Sequence, residues 1–163
     1  MHRVNSASIR TTLLHAVLLL TLAFAFLGSR PIWDPDEGRY TNVALNMVES
    51  GDWIHPARSH EAGHWTKPPL TYWAIASSVS LFGYTTWAAR LPIALAYLLS
   101  VWLCARISGV FDPGSERLAG IVYATLGLPL LASQLVTTDY LLTAAETAAV
   151  YAYARARFGS AQP

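Results

Sequence analysis

Cysteine is nearly missing from this chain: of 163 residues only Cys104 is one. That excludes a disulfide framework within the chain, and any zinc finger needing two or more thiolates. Cys104 lies in an apolar run, where a thiol packs as a small inert hydrophobe. Charge is scarce as well. Asp, Glu, Lys and Arg make up 13% of the residues, and the formal net charge is +1. With no basic field, the sequence offers nothing for nucleic acid to bind.

What the chain has instead is apolar residues in long runs. The first, TLLHAVLLLTLAFAFLG, covers residues 12–28 and approaches the roughly 20 residues that cross a bilayer. His2, Arg3 and Arg10 precede it, as in a signal peptide. The length of the run and the poor cleavage site at Gly28-Ser29-Arg30-Pro31 favour a retained anchor instead. The second run begins near Trp87 (AARLPIALAYLLSVWLCARISGV), the third extends from Arg117 to Val136, and the fourth from Tyr140 to Ala154. The fourth carries Glu146 in its middle and is rich in small residues, which suit helix packing inside a bundle. The expected fold class is therefore all-α, a polytopic membrane helix bundle with spans at about 11–29, 86–108, 117–136 and 139–156. Basic residues set its orientation. Arg3 and Arg10, then Arg106 and Arg117, then Arg155 and Arg157 all fall on one side if the N-terminus is cytoplasmic. The segment from about 30 to 85 then lies outside, as does the turn QLVTTD.

The external segment is more than a loop. DEGRYTNVALNMVESGDW opens with Asp36 and Glu37, which suit the positive end of a helix. Tyr40, Val43, Ala44, Met47 and Val48 then recur at helical spacing, and Gly51 is a stop signal. The spacing predicts an amphipathic helix on the membrane surface or on the bundle. PPLTYWAIASSVSLFG opens with prolines, ends at Gly83, and carries Tyr72 and Trp73. It is read as a second interfacial helix, because one more crossing would spoil the charge assignment.

Between these two helices stands His60-Glu61-Ala62-Gly63-His64, which matches the H-E-x-x-H pattern of zinc proteases. That chemistry needs a helix, so that both histidines reach one zinc ion and the glutamate acts on the bound water. Pro56, Gly63 and Pro68-Pro69 oppose a helix here, and the stretch reads as a polar loop in which His55 is a third histidine.

The two surface helices gather Asp34, Asp36, Glu37, Arg39 and Lys67 just outside the membrane, and Thr137-Thr138-Asp139 lies at the same outer face. Two carboxylate groups far apart in sequence can face one cavity there. One can take a proton from an acceptor while the other orients a group or binds a metal. A neighbouring lysine can hold a phosphate as a point charge. The alternative is a set of helix caps and surface charges.

At these residues the sequence resembles a known family. DPDEGRYTNVALNMVESGDWIHP, KPPLTYW, LFG, AARLP and TTDYLL, from about Trp33 to Tyr153, resemble the N-terminal region of membrane glycosyltransferases of the GT-C fold. The branch is that of the aminoarabinose transferase of lipid A and its dolichyl-phosphate-mannose protein mannosyltransferase relatives. The resemblance implies catalytic roles for Asp36, which would activate the acceptor, and for Asp139. It implies substrate contacts for Glu37, Arg39, Tyr40 and Lys67, the lysine meeting the lipid phosphate of the donor. The implied donor is a polyprenyl-phosphate sugar. The implied acceptor is a lipid A-like glycolipid or a protein on the periplasmic face of the inner membrane.

Two departures stand out. The aminoarabinose branch commonly has a glutamate before the lysine, as part of a metal site, whereas this chain has Thr66. A requirement for a divalent metal is thus left open, with His60, Glu61 or His64 as substitute ligands. Family members are also several times longer, so the expectation is a truncated chain, inactive alone. The competing readings are a non-catalytic membrane protein or subunit that needs a partner chain, a zinc metalloprotease, and a transporter fragment.

Overall fold

In the computed structural model the described residues, 6–59 and 62–159, form seven helices and one two-stranded hairpin. Helix α1 is Ser6–Phe24, α2 is Asp36–Ser50, α3 is Leu70–Phe82 and α4 is Thr86–Phe111. Helix α5 is Glu116–Thr125, α6 is Gly127–Ala132 and α7 is Asp139–Phe158. Strands β1 (Ala57–Ser59) and β2 (Ala62–Gly63) pair antiparallel between α2 and α3.

Helix α2 follows its apolar spacing. Tyr40, Val43, Ala44 and Met47 are buried, and Gly51 ends the helix at φ 73°, its N–H bonded to the Met47 carbonyl. Only a residue without Cβ takes that left-handed cap at no steric cost. Helix α3 starts directly after Pro68-Pro69. Its 13 residues reach roughly 20 Å, short of the roughly 30 Å hydrocarbon core. A neighbouring pair of residues resolves a problem in α4. Pro92 lies inside the helix and has no N–H, which leaves the Ala88 carbonyl without its normal donor. Ser78 of α3 supplies one, its hydroxyl donating to Ala88 O at 2.6 Å.

The third apolar run departs from expectation. One continuous helix over 117–136 is replaced by α5 and α6, with Leu126 extended between them at φ −62° and ψ 132°. The cause is Pro129. In an unbroken helix its ring would press on the Thr125 carbonyl and its nitrogen could not donate there. The Ala124 carbonyl, next to the break, accepts a hydrogen bond from Tyr97 of α4 instead, at 2.7 Å. The first run is also displaced: α1 ends at Phe24, and residues 25–30 turn back toward α4.

Helix α4 is the axis of the molecule, packed against α1, α3, α5 and α7. Two cores are stacked along it. The outer one joins α2 and α3 to Ala88, Ala89 and Val136. The inner one joins Ile93, Tyr97 and Val101 to Ala23, Ala124, Tyr140 and Ala144. Arg90, fully buried, lies at their junction. Outside the inner core, Leu95, Leu99, Trp102, Leu128, Leu131 and Val150 are exposed. Apolar surface of that extent suits lipid or further protein better than water. Among the described residues α4 is the one helix both long and apolar enough to cross a membrane.

Candidate active site

The acidic motif opens α2. Asp34, before the helix, curls over its first turn, and a Cβ on Gly38 would overlap the Asp34 carboxylate. Asp36 projects outward, with 62% of its side chain exposed, and Arg39 Nη1 approaches it at 3.4 Å one helical turn on.

Glu37 points the other way. It is 3% exposed and its carboxylate meets six protein donors. Arg90 binds in a fork, Nε to Oε1 at 2.8 Å and Nη2 to Oε2 at 2.9 Å. Arg30 adds Nη1 to Oε2 at 2.7 Å and Nη2 to Oε1 at 3.3 Å. The Trp33 and Val136 backbone N–H groups donate at 2.8 and 3.0 Å. Both arginines also bind carbonyls. Arg90 reaches Leu27, Arg30 and Pro31, and Arg30 reaches Gln134 at 2.6 Å. Such planar, two-pronged ion pairs are the strong form of the charged hydrogen bond. The cluster joins the chain leaving α1, the start of α2, the outer part of α4, and the loop before α7. Asp36 directly precedes Glu37, and Asp139 follows Val136 by three residues, so this clamp fixes the two motif-bearing turns relative to each other.

Burial pushes the Glu37 carboxyl up, but the hydrogen bonds from Arg90, Arg30, Trp33 and Val136 outweigh it and hold the group down at about 2, from 4.5. A carboxylate depressed in the folded state stabilises the fold above its unfolded pKa. That contribution is lost as pH falls through the folded value. The shift corresponds to about 3 kcal/mol. Unfolding in detergent, followed from pH 7 to pH 3, is expected to show stability falling below about pH 4.5, and Glu37→Gln is expected to lack that part of the fall. An equal acid dependence in both proteins would overturn this assignment.

Lys67 and Asp139 come together from opposite ends of the matched motifs. Lys67 Nζ stands 4.0 Å from Asp139 Oδ1, and Thr138 Oγ1 donates to the same oxygen at 3.2 Å. Both line a cavity of about 160 Å³ whose other walls include Leu70, Leu141, Leu142 and Ala145. Polar groups occupy one part of its lining and aliphatic side chains the rest. No hydrogen bond or ion pair links Asp36 to Lys67 or Asp139 among the described residues.

Tyr40 is buried, with its ring 6.2 Å from that of Tyr72. Burial, with Tyr40 beside it, pushes the Tyr72 hydroxyl up to about 12. His64 is buried edge-on against Tyr72, its backbone N–H bonded to Pro56 O at 2.6 Å. His64 thus ends the hairpin, with β2 running through Ala62 and Gly63. A strand inside the H-E-x-x-H stretch removes the helix face that a zincin site requires; His60 and Glu61 lie outside the described residues. His64 Nε2 is 3.1 Å from the Thr66 hydroxyl. Burial, then Arg58 and Arg39, push the His64 ring below its ordinary pKa. His55 is paired with Asp52 at 2.8 Å and packs edge-on against Trp65. A neutral threonine hydroxyl is a poor replacement for a carboxylate ligand, and no three His, Cys, Asp or Glu side chains converge among the described residues.

Sequence reasoning missed Arg30 and Arg90. The available signal was Arg90 itself, an ionised group in an apolar run, which must face a partner.

Residues 66–158 match the family model of dolichyl-phosphate-mannose-protein mannosyltransferases. An undecaprenyl phosphate-alpha-4-amino-4-deoxy-L-arabinose arabinosyl transferase of Aeromonas salmonicida is 35% identical over 112 residues, 61% of this chain and 18% of that protein. The undecaprenyl phosphate-alpha-4-amino-4-deoxy-L-arabinose arabinosyl transferase 2 of Pseudomonas fluorescens is 36% identical, over 69% of this chain and 20% of that protein. The chain therefore spans only a fifth or so of these curated relatives. The crystal structure of ArnT from Cupriavidus metallidurans in the apo state superposes with a TM-score of 0.86 at 26% identity, covering 93% of this chain and 28% of that one. The same protein bound to undecaprenyl phosphate gives 0.83, covering 90% and 27%.

Proposed function

The chain belongs to the dolichyl-phosphate-mannose-protein mannosyltransferase family, and on that premise we propose that it forms part of a membrane glycosyltransferase, moving a sugar from a polyprenyl-phosphate donor to a lipid A-like glycolipid or a protein acceptor at the periplasmic face. The observation that carries this reading is the pairing of Lys67 and Asp139 at a cavity with aliphatic walls. A phosphate esterified to an isoprenoid needs that combination: a cation for the head and apolar surface for the first units of the tail. A similar protein bound to undecaprenyl phosphate supports it.

In this reading Asp36, exposed and steered by Arg39, takes the proton of the acceptor. The acceptor oxygen attacks the anomeric carbon of the sugar. The bond from that carbon to the phosphate oxygen breaks, and polyprenyl phosphate leaves with the electron pair. Lys67 offsets the charge that develops on the leaving phosphate, a point charge where one is needed. Asp139 orients the lysine and the sugar beside it. Glu37 has no lone pair to spare for substrate, so its role is to hold Asp36 and the loop before Asp139 in register. Tyr40 packs beneath the motif. Around this site we place spans at about 11–29, 86–108, 117–136 (as the broken pair α5 and α6) and 139–156, with the N-terminus cytoplasmic and residues 30–85 outside.

Undecaprenyl phosphate binding tests the reading, measured on the protein produced from its own locus and kept in membranes. A charged hydrogen bond contributes about 1.5–3 kcal/mol. Lys67→Met is therefore expected to weaken binding by roughly 10- to 150-fold while the protein still accumulates. Unchanged affinity in that variant would sink the proposed donor site. A subunit without catalysis would bind the lipid and transfer no sugar.

A further inference from the structure

Lys67 owes its position to its neighbours. On one side Pro68 and Pro69 fix the backbone leading into α3. On the other side stands Thr66, whose hydroxyl is 3.1 Å from His64 Nε2. His64 is itself immobilised: 6% exposed, edge-on to Tyr72 at 5.9 Å, and tied through its backbone N–H to Pro56. Tyr72 is fully buried in the outer core. A chain of contacts therefore runs from the packed α2–α3 core through Tyr72 and His64 to Thr66, and ends at the residue before the lysine. A lysine stem is long and flexible, and 41% of the Lys67 side chain is exposed. The aim of its ammonium group depends on where the backbone begins.

We propose that His64 is a positioning residue for Lys67. Its hydrogen bond with Thr66 fixes the short segment from which the lysine reaches the donor phosphate. This inference rests on the reading of Lys67 as the phosphate contact. It gives a use to one histidine of the H-E-x-x-H stretch and to the threonine that departs from the family pattern. His64 touches no reacting atom and acts through Thr66.

The test is a double-mutant cycle on undecaprenyl phosphate affinity, using the protein in its membrane. His64→Ala is expected to weaken binding about threefold to tenfold, the range set by one hydrogen bond. Thr66→Val, which removes the same bond but keeps the side-chain shape, is expected to give a similar loss. In a Lys67→Met background, His64→Ala and Thr66→Val should add almost nothing, because there is no ammonium left to aim. His64→Gln, which can still bond the threonine, should recover most of the affinity lost in His64→Ala. If Lys67→Met itself leaves affinity intact, the donor-site reading fails and this proposal falls with it. If Lys67→Met weakens binding while Thr66→Val does not, the donor site stands and only the positioning role is overturned. Additive losses in the double mutants overturn it equally. Should His64→Ala fail to accumulate, Thr66→Val completes the cycle alone.

Discussion

Arg90→Ala is expected to remove the protein from the membrane, or to leave it about 3–5 kcal/mol less stable, the cost of breaking a buried ion pair by deleting one partner. Arg90 is fully buried and holds both oxygens of Glu37 together with the carbonyls of Leu27, Arg30 and Pro31. Alanine would take the Arg90 donors from all three carbonyls and remove two of the six donors to Glu37. Arg30 would remain on both Glu37 oxygens but reaches them from a partly exposed position and cannot serve the carbonyls that Arg90 held. Domains are stable by only about 5–15 kcal/mol in total, so a loss of this size depletes the folded population. Arg90→Lys should recover only part of it, because a single ammonium cannot serve two carboxylate oxygens and three carbonyls in fixed directions. The measurement is the amount of protein in isolated membranes, followed by unfolding in detergent. Normal amounts and a normal unfolding midpoint in Arg90→Ala would show that the cluster does not hold the fold together.

Asp36→Asn is expected to behave in the opposite way: full accumulation, unchanged donor binding, and transfer slowed by roughly 10²–10⁴, the usual contribution of a general base. The contrast follows from exposure. Among the described residues the Asp36 side chain is ion-paired with Arg39 alone, at 3.4 Å, and it is 62% exposed, so its loss disturbs little packing. Asparagine keeps the shape and removes the ability to accept a proton. The check is sugar transfer in membranes alongside undecaprenyl phosphate affinity. Full activity in Asp36→Asn would remove it as the base and shift attention to Asp139.

The extent to which the sequence is legible differs from element to element. Helix α2 was readable because its acidic start, its apolar spacing and its Gly51 stop agree with one another. The H-E-x-x-H stretch was readable as non-helical for the same kind of reason, since prolines flank it and a glycine interrupts it. The third run misled because hydropathy counts leucines on both sides of Pro129 equally, while the backbone responds to the missing N–H. The meeting of Lys67 with Asp139 was expected only as a shared membrane depth and through the family resemblance; their contact depends on how α3 and α7 pack, which no local pattern encodes. Glu37 shows the limit most clearly. Its place in the motif pointed to substrate, yet its environment is made by Arg30, Arg90 and Val136, and no spacing rule connects residues so distant in the chain.

The distances along the chain within that cluster also bear on how the molecule is assembled during synthesis. Glu37 bonds Arg90, 53 residues later, and Val136, 99 residues later. When α4 enters the bilayer its arginine already has a carboxylate waiting, so the charge need not rest in lipid alone. The backbone donor that completes the carboxylate shell, and the Asp139 turn behind it, come only after α5 and α6. A nascent chain halted before residue 136 would display the whole acidic motif and lack the Val136 donor to Glu37. The last donor to the buried carboxylate thus arrives 99 residues after the carboxylate itself.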